Sequence, residues 1–256
     1  HIFCRSGASE KEGKAVWGLI YKDIVTNKKR LILFAVCSAV LFSIMVAALF
    51  IADDFGEYTE ISAQAVSLMA VTCAFLPWLD LPTTLIENDE GRHWGGFVSA
   101  SPVSAKGQVA SKYVLGFAVL VAIVNILYFL LQICDIILYY FAGVTAMSGT
   151  ISFALMLAFA VMLLWAVEIP FTVYFGSKTG GAVKFLLFLA VVLGFIVYGL
   201  YGRTRLSFDG LWALFFSEDI KIYAFTIGSE LFCAVAYFLS YLLSCRLYPK
   251  GAENNG

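Results

Sequence analysis

Residues 113–142 read YVLGFAVLVAIVNILYFLLQICDIILYYFA, a stretch in which Asp135 carries the only formal charge. At 1.5 Å rise per residue, a helix needs about 20 residues to cross roughly 30 Å of hydrocarbon. A helix also satisfies its own backbone hydrogen bonds where water is absent. The stretch therefore predicts a membrane-spanning helix, and the chain repeats the pattern at Leu31–Ala52, Ile61–Leu81, Thr150–Phe175, Ala182–Tyr201 and Ile222–Cys245. The expectation is an all-α integral membrane protein with six transmembrane helices.

Composition points the same way. Of 256 residues, 61% are hydrophobic and 14% charged, against roughly half and a quarter in soluble domains. Apolar runs leave no room for a second core, so 13–250 read as a single membrane domain. Residues 1–12 read as a disordered lead-in or expression remnant, and 251–256 as a short tail. The six Cys show no CxxC spacing, which argues against a zinc or disulfide framework. A net charge of -1 without an extended basic face excludes nucleic acid as the expected partner.

Orientation follows from Lys and Arg, which resist translocation. The arm before Leu31 holds Arg5, Lys11, Lys14, Lys22, Lys28, Lys29 and Arg30; the second, fourth and last connections add Arg92, Lys106, Lys112, Lys178, Lys184, Arg246 and Lys250. The opposite side has only Arg203, Arg205 and Lys221, all in the fifth connection. Both ends are therefore expected on the inner side.

Three connections carry more than turns. Trp17, Ile20, Tyr21 and Ile24 recur at helical spacing with Lys22, Asp23, Lys29 and Arg30 opposite, which predicts an amphipathic helix on the inner membrane surface. Pro82–Lys112 is the longest inner connection and the natural place for a partner to dock. Gly202–Lys221 holds Trp212, Phe215 and Phe216 among other apolar residues, too many to face water, so it is expected to dip back into the outer boundary.

Catalytic chemistry is thinly supplied. Two His, no HExxH, no GxSxG and no GxxxxGK[ST] phosphate loop predict no catalytic residue, no metal site and no nucleotide site on this chain. If ATP powers the protein, another chain hydrolyses it. A charge near the bilayer centre is costly, so Glu168, close to Pro170 in the fourth run, stands out. It reads either as a pathway or gating residue or as the partner of a polar group on another helix. Asn125 reads as glue between helices. No ladder of buried carboxylates appears, which weakens an ion-coupled carrier without removing it. A passive carrier, a membrane enzyme and a binding-only immunity protein also stay open.

The inner stretch Glu87-Asn-Asp-Glu-Gly-Arg-His-Trp94, followed by Ser101-Pro-Val-Ser104 and Gln108-Val-Ala-Ser-Lys-Tyr113, resembles the permease subunits of the ABC-2 transporter family. Within that family it is most similar to permeases of bacterial exporters of amphipathic peptide toxins, such as the phenol-soluble modulin exporters. Ala105, Gly107 and Gln108 depart from the residues more usual in that element. The resemblance implies a bacterial cytoplasmic membrane and a permease dimer with two separate ATPase subunits, which hold the ATP and Mg. It also implies a short coupling helix near Thr84–Phe97. There Glu87, Asp89, Glu90 and Arg92 would make polar contacts with the ATPase while Trp94 and Phe97 fill apolar pockets. The aromatics of the fifth connection would help close the outer end of a pathway formed by two copies.

Overall fold

The computed structural model describes residues 4–51, 59–90, 105–142, 148–177, 179, 181–186, 189–190, 193 and 220–254. Every named element among them is helical: α1 (Cys4–Ile51), α2 (Thr59–Phe75), a 3-10 segment (Leu76–Asp80), α3 (Leu81–Glu90), α4 (Ala105–Ala142), α5 (Ser148–Phe175) and α6 (Ile220–Asn254). Residues 181–186 are helical as well.

Among the described residues, four stretches are long and apolar enough to cross a membrane: Ala65–Asp89, Lys106–Ile137, Phe153–Phe175 and Glu230–Tyr248. They correspond to the second, third, fourth and sixth expected spans. Residues 31–51 of the first expected span lie inside α1, and the fifth falls largely outside the described residues.

Two expectations change at the N-terminal side. The stretch expected as a lead-in is helical from Cys4 onward, and the predicted surface helix is continuous with the first expected span in one 48-residue helix, about 72 Å long. Its faces are also partitioned differently from the simple amphipathic reading. Trp17, Tyr21 and Ile24 are exposed, but Ile20, Asp23 and Asn27 are buried. The charged side of this helix is a packing face, because acids and bases on neighbouring helices neutralise it.

α1 runs antiparallel to the α2–α3 rod, as the contacts show in order. Ser38 Oγ donates to the Ala74 carbonyl at 2.7 Å, Trp78 Nε1 donates to Ser38 Oγ at 2.8 Å, and Phe34 meets Trp78 edge-on at 5.8 Å. Further along, Arg30 reaches Glu87, Asn27 reaches Asn88, and Lys22 reaches Asp89. α2 is tied to α5 by the buried hydroxyl pair Ser67–Thr150 at 2.7 Å.

α4, α5 and α6 form the other half of the bundle around Trp165, which is fully buried. Gly116 on α4 permits that approach: a Cβ there would lie 3.3 Å from Tyr237 Oη and 3.4 Å from Trp165 Cζ3. Small residues serve this purpose in membrane bundles, where backbones must come close to gain dispersion contacts.

The rod Thr59–Glu90 is interrupted once. Pro77 opens the 3-10 segment, Pro82 stands at the start of α3, and neither supplies a backbone donor. A 3-10 break inside a long helical run is a recurrent hinge element.

Candidate functional site

α3 has a local electrostatic problem. Its sequence LPTTLIENDE puts Glu87, Asp89 and Glu90 in the last turn with no basic residue there, where the helix dipole is already negative. Leu81 and Leu85 are buried and fix the inward face. The acidic end must therefore find positive charge on other helices.

It finds three cations. Lys112 on α4 uses all three ammonium donors: Asp89 Oδ2 at 2.5 Å, Asp23 Oδ2 at 2.9 Å and the Leu85 carbonyl at 3.3 Å. Lys22 on α1 lies 2.8 Å from Asp89 Oδ1 and 3.3 Å from Asp23 Oδ1. Arg30 on α1 pairs with Glu87 at 2.6 Å. Asn88 Nδ2 donates to Asn27 Oδ1, and Asn27 Nδ2 donates to the Asp23 carbonyl at 2.9 Å. Burial alone would lower the Lys22 pKa, but the Asp89 hydrogen bond and the charges of Asp23 and Asp89 outweigh it and raise the value. At this end α1, α3 and α4 share one neutralised charge cluster.

The opposite end of α3 meets a second lysine-centred cluster. Lys184 lies 2.5 Å from Asp80 Oδ1, 3.0 Å from Glu168 Oε1 and 3.5 Å from Thr83 Oγ1. Thr83 Oγ1 donates to Glu168 Oε1. Glu168 is fully buried, and its Oε2 has no hydrogen-bond partner among the described residues. Glu168 thus meets polar groups on two other segments.

Beside it, Pro170 lacks the N–H that would bond the Ala166 carbonyl. Ser240 on α6 donates its hydroxyl to that carbonyl at 2.5 Å. Because Ser240 has one proton, Tyr113 Oη, 2.6 Å away, must donate to it, and Ser244, 2.9 Å away, must donate to Tyr113. Tyr237 adds a bond to the Tyr113 carbonyl at 3.0 Å.

The predicted docking residues thus divide. Glu87 and Asp89 are engaged within their own chain, Glu90 is the last residue of α3, and Arg92, Trp94 and Phe97 lie outside the described residues. Trp212, Phe215 and Phe216 lie outside them too. Asn125, for which a bond between helices is one reading among others, bonds the Val121 carbonyl of its own helix at 2.7 Å. In the sequence Lys22 and Asp23 mark only the charged face of the first helix, Lys112 and Lys184 serve as topology markers, and Thr83 and Ser240 give no signal beyond being polar.

Both lysine-centred clusters sit on the segment that leads into the connection between α3 and α4. A family model described as ABC-2 family transporter protein matches residues 18–249. The chain belongs to the ABC-2 transporter family. No curated protein and no solved structure matches it. As an ABC-2 protein it is a multi-pass membrane component of an ABC transporter, a permease subunit that works with an ATPase subunit. Both lysine-centred clusters and the Ser240 network fall inside the matched region.

Proposed function

We propose that this ABC-2 chain is the permease subunit of an ATP-driven exporter in a bacterial cytoplasmic membrane. It has six spans and both ends inside, acts as a homodimer with two ATPase subunits that hold ATP and Mg, and moves amphipathic peptides outward. The coupling helix covers Thr84–Phe97: Glu87 and Asp89 brace its first part against α1 and α4, and Glu90, Arg92, Trp94 and Phe97 meet the ATPase. Trp212, Phe215 and Phe216 line the outer closure, with Glu168 and Pro170 at the inner end of the pathway.

The observation that carries this reading is that α3, with the adjoining 3-10 residue Asp80, is held at both ends by lysines from three other segments. Motion imposed on α3 is therefore passed to the bundle rather than lost in a loose loop. The reading is also supported by the resemblance of Glu87–Trp94 and Gln108–Tyr113 to the family's inner element.

Reconstitution with the co-purifying ATPase tests it. Vesicles of inside-out orientation should accumulate a fluorescent amphipathic helical peptide only with ATP, and Trp94→Ala with Phe97→Ala should cut accumulation by roughly tenfold or more, as loss of buried aromatic anchors does. Accumulation driven by an ion gradient without ATP would overturn the proposal in favour of a carrier.

A further inference from the structure

The two clusters that hold α3 differ in what breaking them would strand. At the Asp89 end, withdrawing α3 would remove Asp89 from Lys22 and Lys112, and the same lysines also hold Asp23, which is 1% exposed. Charges would be left buried without their full complement, a costly result. At the other end the polar contacts that join α3 and the adjoining 3-10 residue Asp80 to the α5 side are, among the described residues, Thr83 to Glu168, Asp80 to Lys184 and a longer Lys184–Thr83 approach at 3.5 Å. The Asp80 side chain is 70% exposed, so water takes over when that pair opens. Glu168 would keep Lys184 at 3.0 Å, because both lie on the same side of the seam. Its buried charge is never abandoned.

We propose that α3 moves together with the Lys22–Arg30 stretch of α1 and the Lys112 end of α4 as one body, and that this body swings from α5 at the Thr83–Glu168 and Asp80–Lys184 seam while the Trp78–Ser38 and Tyr113–Ser240–Ala166 bonds stay closed. The pivot is the 3-10 segment Leu76–Asp80, where Pro77 has already removed a helical hydrogen bond. Thr83 and Asp80 are the latch; the Glu168–Lys184 pair is the preformed counter-charge that makes opening inexpensive. This deepens the permease reading, on which it rests for its purpose, by naming the seam at which the power stroke enters the bundle.

The test uses the full chain alone in lipid nanodiscs, so docking of the ATPase plays no part in it. Spin labels are introduced as non-canonical residues at exposed Val25 on α1 and Val167 on α5, with a control pair at Val25 and exposed Val114 on α4. Removing both latch bonds by Thr83→Val with Asp80→Asn should add a second, longer Val25–Val167 distance while the Val25–Val114 distance stays single. Thr83→Ser keeps the hydroxyl and should match the parent. Pro77→Ala added to the latch variant restores a donor at the pivot and should remove the second distance. An unchanged Val25–Val167 distance in the latch variant, or equal broadening of both pairs, overturns the proposal. Failure of the ATPase to co-purify would sink the docking reading and leave this measurement intact.

Discussion

Ser240 on α6 donates its hydroxyl to the carbonyl of Ala166 on α5, the carbonyl that Pro170 leaves without its helical partner. A kink-forming proline and a serine seventy residues away thus form one unit. Ser240→Ala should cost about 1 kcal/mol, in the range measured for side-chain hydrogen bonds between membrane helices. In a Pro170→Ala background the N–H returns, and the same substitution should cost less. Thermal unfolding of the four variants in one detergent provides the cycle, and equal costs in both backgrounds would refute the pairing.

Lys112 supplies a second test, because its three donors are all in use. Lys112→Met leaves Asp23 and Asp89 with Lys22 alone, and breaking a buried pair in this way costs about 3–5 kcal/mol. Adding Asp23→Asn should recover a large part of the loss, since the stranded charge disappears. The yield of monodisperse protein and its unfolding temperature report both changes. If the double variant is worse than the single one, Asp23 is not the stranded group.

The Lys22 shift fixes the sign of a pH effect. A lysine whose folded value is raised stabilises fully below its ordinary value of about 10.5 and loses that contribution as pH rises through the folded value. The α1–α3 contact should therefore be indifferent to pH across the neutral range and loosen only on the alkaline side. Hydrogen exchange of residues 81–90 at rising pH, corrected for intrinsic exchange, should show this loss in the parent and a weaker one in Lys22→Met. Loosening between pH 6 and 8 would contradict the assignment.

Gly116 tests how closely α4 meets α5 and α6. Gly116→Ala brings a Cβ to 3.3 Å from a tyrosine hydroxyl and 3.4 Å from an indole carbon, so a small shift accommodates it. Gly116→Leu has no such room and should cost about 1–3 kcal/mol, the usual penalty of overpacking. Comparable unfolding temperatures for the two variants would show that the helices are looser than the distances indicate.

How much of this was readable beforehand depends on the range of the interaction. The lipid solvent, the helical class and the approximate positions of four spans follow from runs of apolar residues, because hydrophobicity and backbone satisfaction act over one helix length. Glu168 and Pro170 stood out for the same reason: a charge and a missing donor are anomalous within their own span, whatever surrounds them. Lys184, Lys112 and Asp23 did not, since a charged residue near a helix end is ordinary until its neighbours are known.

The sequence by itself settled the solvent, and with it the need for helices that close their own hydrogen bonds. Tertiary structure alone decided which charges meet. Lys22 finds Asp89 across 67 positions and Thr83 finds Glu168 across 85, separations over which no periodicity carries information. Asp89 shows the consequence: its acidity suggested a contact with a partner, and the packed helices place it between Lys22 and Lys112 of its own chain, while Glu87 stays half exposed beside Arg30. Neutralising a charge within the chain avoids the cost of burying it unpaired, and only the packed arrangement of helices determines where that neutralisation is available.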